Sequence, residues 1–252
     1  VDDMKKARWM LITSMAIFGT LGLFVRNIPV ASGELALYRA VLAAGMIGLF
    51  LLATKQKIPF AAIKKEIPLL LFSGMAMGFN WILLFESYRY TTVAIATICY
   101  YLAPAFVTLG SPLVSEKLTV KKLACIGVAM VGMVFVSGVL QGSQTGSMLG
   151  VVLAVGAAIL YASVILMNKK LSPIGAYDKT LRQLGAASIV VAPYILISGG
   201  VTFGEMTPGS WIILTVVGIV HTGIAYALYF GGIRDVNAQT AAILSYLDPV
   251  LS

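Results

Sequence analysis

The stretch at residues 72–107, FSGMAMGFNWILLFESYRYTTVAIATICYYLAPAFV, recurs in altered form at 217–252, VGIVHTGIAYALYFGGIRDVNAQTAAILSYLDPVLS, without a gap and at an offset of 145. Gly78, Leu83, Phe85, Arg89, Ala96, Ile98, Tyr101, Leu102 and Pro104 fall on Gly223, Leu228, Phe230, Arg234, Ala241, Ile243, Tyr246, Leu247 and Pro249. The chain is therefore read as two related halves. Each copy consists of two long apolar runs, so the repeat belongs to a membrane protein. Internally repeated membrane bundles most often move solutes at the interface between their halves.

Composition points the same way. Hydrophobic residues make up 59% of the chain and charged residues 11%, with a mean hydropathy of +0.94. Soluble domains carry about a quarter charged residues. The net charge of +8 sits in short connections, which fits membrane topology and excludes nucleic acid as a partner. Cys99 and Cys125 lie inside apolar runs with no CxxC and no neighbouring His, so both are read as buried thiols, with no disulfide, metal or other cofactor expected.

Nine runs approach the length of about 20 apolar residues that a spanning helix needs. They lie near 8–25, 34–53, 67–87, 92–114, 119–139, 148–167, 180–198, 210–230 and 237–252. The first has no small-x-small cleavage site before Arg26 and its Phe18 matches Tyr161 at an offset of 143, so it is read as part of the repeat. With the amino terminus placed inside, fifteen of the 18 Lys and Arg residues fall on the inner side, against Arg26 and Arg89 outside and Arg39 within the membrane. That bias predicts a multi-pass protein of the cytoplasmic membrane with a cytoplasmic amino terminus. Runs one and six are repeat partners, so each half has five helices, and an odd number inverts the second half. The expected fold is an all-α polytopic bundle of two inverted five-helix repeats, 1–140 and 147–252. The offset maps the fifth run, 119–139, onto 264–284, so a tenth helix is expected beyond residue 252 and the ninth is expected to be cut short.

Several motifs carry a family resemblance. The segment from Tyr88 to Ala94 leads into Tyr101-Leu102-Ala103-Pro104, Glu116-Lys117-Leu118-Thr119 follows, and Tyr246-Leu247-Asp248-Pro249 closes the second half. Together with the two-times-five arrangement they resemble EamA-type members of the drug/metabolite transporter superfamily. The resemblance implies a ten-helix carrier with a central cavity lined mainly by helices 1, 3, 4, 6, 8 and 9, and it names no substrate.

Residue chemistry suggests where that cavity is. Pro104 and Pro249 lack an N–H and clash with the preceding turn, so helices four and nine should break there, and paired breaks mark a cavity more often than simple packing kinks. Three aromatic pairs, Phe18/Tyr161, Trp81/Tyr226 and Tyr101/Tyr246, fall on the expected cavity helices. Trp9, Tyr88, Tyr90 and Trp211 are read as interfacial anchors. Asp248 and His221 each lie roughly 16 Å along their helices, near mid-membrane, where they are expected to form a proton-coupling or charge-recognition site or else a structural pair. Arg39 and Glu86 fall in the outer half, where they can pair as an external gate, attract an ionised solute, or let Arg39 snorkel. Asn80 and Gln183 are weaker polar candidates, with Asn80 counted among the cavity residues. Gly74 and Gly78, echoed by Gly218 and Gly223, are read as close-packing positions.

The function expected is a secondary carrier moving an amino acid or related small metabolite by alternating access, with a proton as candidate coupling ion. A multidrug or organic-cation exporter is the alternative. A channel or intramembrane enzyme ranks lower, since the chain shows no HExxH, GxSxG, Walker loop or paired Asp motif and no catalytic residue is assigned. Transport direction and oligomeric state are not legible.

Overall fold

The computed structural model describes residues 2–25, 28–55, 64–136, 147–171, 175–200 and 206–248, and among them all regular structure is helical. Helix α1 (Asp2–Gly19) is continued by a short turn of helix, Leu21–Val25; α2 is Ser32–Ala53 and α3 is Ile67–Tyr90. Helix α4 has two halves, Val93–Tyr100 and Ala103–Gly110, followed by a 3₁₀ turn at Ser111–Val114. Then come α5 (Val120–Val136), α6 (Met148–Lys170) and α7 (Ala176–Ser198). Helix α8 runs through Pro208–Val216, a π-helical stretch Val217–Ile224, and Ala225–Gly232, and α9 is Ala238–Leu244. Among the described residues seven spans are long and apolar enough to cross a membrane. The described parts of α5 and α9 are shorter.

Local chemistry sets the helix starts. Thr92, Ser147 and Thr207 accept hydrogen bonds from Ile95 N, Leu149 N and Ser210 N with their side chains, capping α4, α6 and α8. Pro68 and Pro208 occupy first turns, where the missing N–H costs nothing. Large apolar residues stay on the outside: Leu52, Val128, Ile189 and Ile197 are each at least 74% exposed. Only hydrocarbon is a favourable solvent for that surface.

Helix pairing follows the sequence repeat. As α3 packs on α6 and α7, α8 packs on α1 and α2, while α2 meets α7 and α4 meets α9 across the pseudo-twofold. Small residues let the backbones close: a Cβ on Gly74 would stand 2.6 Å from the Gln183 carbonyl oxygen of α7, and one on Gly218 would stand 2.7 Å from Leu42 Cβ of α2. Between α3, α6 and α7, Ser73 Oγ receives Gln183 Nε2 at 2.6 Å and Asn168 Nδ2 at 3.2 Å. Gln183 is thus committed to interhelical bonding.

The main core lies toward the amino-terminal, cation-rich face. It joins Leu11 and Met15 of α1, Ile47 and Leu51 of α2, Val107 of α4, Ile165 of α6 and Tyr229, Phe230 and Ile233 at the end of α8. Toward the opposite face a smaller core of Ile28, Leu35, Leu214 and Val217 leaves room for a cavity in that half.

Candidate substrate cavity

A cavity of about 310 Å³ occupies that half. Its lining on α1 (Phe18, Leu21) and α3 (Trp81, Tyr88) comes from the ends away from the basic face, and Tyr161 and Tyr226 reach it from α6 and α8. The break in α4 supplies Tyr100, Tyr101 and Pro104. Ser245 and Asp248 come from α9. The rings form two connected groups. Phe18 meets Tyr226 edge-on at 5.1 Å and Trp81 stands 6.4 Å from the same ring, while Tyr100 stacks on Tyr161 at 5.6 Å and meets Tyr101 at 6.2 Å. Such walls give contact area and a cation-attracting π face.

Charge enters from opposite sides of the repeat. Arg39 of α2 lines the cavity, held by its Nε donating to Thr222 Oγ1 at 3.0 Å, and Thr222 in turn donates to the Val217 carbonyl at 3.2 Å. The π-helical stretch of α8 therefore seats the guanidinium, and such stretches recur at functional sites. Asp248 receives Tyr101 Oη on its Oδ2 at 3.4 Å. A cationic and an anionic group share one aromatic-walled space.

The break at Pro104 has a specific consequence. The helix interrupts at Tyr101 and Leu102, and the Tyr101 carbonyl accepts Tyr246 Oη at 3.1 Å. Tyr246 is only 7% exposed and packs with Ile126, so it braces the break from behind and does not line the cavity. Its sequence partner lines the space; it holds the partner in place. An equivalent turn occurs in α9 at Ser245 and Tyr246, and Pro249 itself lies outside the described residues.

Three other assignments change. Asn80 is buried behind the wall, donating to the Ala157 carbonyl at 2.6 Å and accepting from Tyr100 Oη at 3.4 Å, so it orients a lining residue. His221 bonds Thr20 Oγ1 at 3.1 Å and packs on Phe24 at 4.8 Å, outside the lining, so it does not share a site with Asp248. His221 faces Thr20 and Phe24, whereas Asp248 faces Tyr101 and the cavity. Glu86 is paired with Arg89 at 3.0 Å and receives Tyr194 Oη, and Arg39 turns to Thr222. The Arg39–Glu86 gate is therefore replaced by two separate arrangements, and Arg39 points inward instead of snorkelling. Tyr88, read as an anchor, and Tyr100, not singled out at all, both line the cavity. The YYLAP break signalled Tyr100; nothing in the sequence signalled Thr222 as the seat of Arg39.

The basic side of the cavity is closed by contacts between the halves. Glu116 Oε1 accepts the Ala238 amide at the start of α9 at 2.8 Å and stands 3.6 Å from Lys169 Nζ. Lys169 Nζ also donates to the Val236 and Arg234 carbonyls at 2.6 and 3.2 Å, and Gln239 Nε2 donates to Ser111 Oγ and the Lys117 carbonyl at 2.5 and 2.9 Å. Asn237 caps α9 with no side-chain bond of its own, so the first half supplies the cap. The Glu116-Lys117 motif is thus one side of a latch.

Residues 5–138 and 148–252 match the model of the EamA-like transporter family. The chain is 33% identical over 246 residues to the uncharacterized transporter YxxF of Bacillus subtilis (strain 168), covering 96% of this chain and 78% of that protein. It is 27% identical over 243 residues to an uncharacterized transporter of Archaeoglobus fulgidus, covering 95% of this chain and 82% of that protein. One solved crystal structure superposes with a TM-score of 0.84 at 17% identity over 98% of this chain and 85% of the other, a likeness of fold.

Proposed function

We propose that this chain, which belongs to the EamA-like transporter family, is a secondary carrier that moves a small zwitterionic solute of the amino-acid type by alternating access. The observation that carries the reading is the presence of Arg39 and Asp248 in one aromatic-walled cavity. Arg39 offers N–H donors suited to a carboxylate, and Asp248 among Tyr rings suits an ammonium group. A volume of about 310 Å³ lies at the lower end of small-molecule sites, the size of a single metabolite. An organic cation is the second reading, favoured by Asp248 and the rings but leaving Arg39 without an anion to meet.

Two further features support the alternating-access part. The cation-rich face is taken as cytoplasmic on the charge bias, so the half with the cavity faces out and the latched half faces in. Asp248, half-buried in the lining and able to accept a proton, is the coupling candidate in place of an Asp248–His221 pair. Counterflow of labelled amino acids in proteoliposomes tests the reading. Arg39→Gln is expected to lower uptake of amino acids about 10–100-fold while sparing amines that lack a carboxylate, and Asp248→Asn is expected to flatten the pH dependence of uptake. Loss of amine and amino-acid uptake alike in Arg39→Gln rejects the assignment of the carboxylate to Arg39. Uptake of organic cations with no amino acid taken up selects the second reading.

A further inference from the structure

Besides the central cavity the repeat builds a pair of cavities, one at each face of the bundle, and their buried charges have opposite sign. On the face away from the basic side, the first turn of α2 meets Phe85 and Arg89 of α3 around a cavity of about 300 Å³. On the basic face, the first turn of α7 meets Phe230 and Arg234 of α8 around one of about 420 Å³. Phe85 and Arg89 map onto Phe230 and Arg234 by the 145 offset, so the two cavities are counterparts. The outer one buries Glu34, 2% exposed, and the inner one buries Lys179, 1% exposed.

The repeat satisfies only one of these charges. Glu34 Oε1 receives Tyr38 Oη at 2.7 Å. Lys179 makes no side-chain hydrogen bond or ion pair with a described residue, although its side chain lines the cavity. The Lys179 stem is buried while its ammonium lines the cavity with no hydrogen bond to a described residue, so a bound anion would give it a direct partner. The surroundings fit one. Gly175 and Ala176 bring the start of the 23-residue α7 to the cavity, where Asp178 of the same turn is paired with Arg182, and Lys6 and Arg234 line the cavity too. Two carboxylates are also present; Asp235 is engaged by Arg234 at 3.2 Å, and Asp3 sits on the exposed start of α1.

We propose that this cavity on the basic face binds a phosphate-type oxyanion, with Lys179 as the buried contact and Lys6 and Arg234 at the rim. Two sources share that chemistry: the phosphodiester headgroup of an anionic phospholipid in the adjacent leaflet, and a free phosphate. Because α1 belongs to the first half and α7 and α8 to the second, an occupied site ties the halves together on the latched face.

The test uses the protein in nanodiscs of phosphatidylcholine alone, phosphatidylcholine with phosphatidylglycerol, and phosphatidylcholine with inorganic phosphate at matched ionic strength. Thermal unfolding is followed in each, and retained lipid by native mass spectrometry. Protection by phosphate in phosphatidylcholine nanodiscs assigns a free anion, and protection or lipid retention only with phosphatidylglycerol assigns the headgroup. Lys179→Met should abolish that protection, with affinity about tenfold lower or worse, and should raise the unfolding temperature in phosphatidylcholine alone because an unpaired buried charge is gone. The exposed Lys6→Gln/Arg234→Gln pair, which carries no packing risk, should weaken binding severalfold. Protection by neither ligand, or equal protection in Lys179→Met, overturns the proposal.

Discussion

The two ends of this bundle are made from the same repeated sequence and do opposite things. Away from the basic face, α1, α3 and α4 line a cavity with the rings of Phe18, Trp81 and Tyr100. Toward the basic face the same helices converge on Leu11, Val107 and their neighbours and are tied by Glu116, Lys169 and Gln239. A pseudo-symmetric chain cannot be open at one end by composition alone. Under the alternating-access proposal the difference is one of two states, and the other requires the contacts of Glu116, Lys169 and Gln239 to part.

The latch offers the sharpest way to break the comparison. Glu116→Ala removes the cap of α9 and the partner of Lys169, a loss of about 1–2 kcal/mol, so the population open to the basic face should rise about 5–30-fold. A cysteine placed at Met15 on the cavity floor, in a Cys99→Ser/Cys125→Ser background, reports this through impermeant maleimide supplied from the basic side. Unchanged labelling means that packing alone closes that end. A smaller effect is expected at the wall. Trp81→Ala should weaken substrate affinity about fivefold, whereas Trp211→Ala, 39% exposed and 6.4 Å from Tyr38 on the outer surface, should change it by less than about twofold. Equal losses by direct binding would move the site away from the cavity. Smallest of the three, Tyr246→Phe strands the Tyr101 carbonyl and should lower stability by about 0.5–1.5 kcal/mol with substrate affinity little changed. An affinity loss as large as that of Trp81→Ala would put Tyr246 back among the contacts.

Much of the fold was legible because it depends on one-dimensional signals. Apolar runs located the spans, the repeat gave their pairing, and the YYLAP segment placed the break in α4. The site was only partly legible, since position along a helix gives depth but not direction. His221 and Asp248 are expected at one depth from the sequence, yet one turns to Thr20 and the other to the cavity. The π-helical stretch at Val217–Ile224 adds to this problem, because wider turns shift the facing of every residue around it, and no local residue pattern announced it. Tyr101 and Tyr246 show a further limit: matched positions in a repeat need not meet matched surroundings, since one lines the cavity and the other packs on Ile126. Glu34 and Lys179 escaped notice because each sits in the first turn of its helix, where a charge reads as interfacial.

Those two buried charges bear on how the chain enters a bilayer. A nearly symmetric inverted bundle has two insertion directions of similar hydrophobic energy. With the basic face inside, Lys179 lies toward the negative side of the membrane potential and Glu34 toward the positive side. Inserted upside down, each would face the wrong pole, at up to about 2.3 kcal/mol per charge for every 100 mV. In that orientation the opposite signs at two matched positions would act as an electrical keel, adding to the loop cations a bias that the finished fold retains for as long as the membrane is energised.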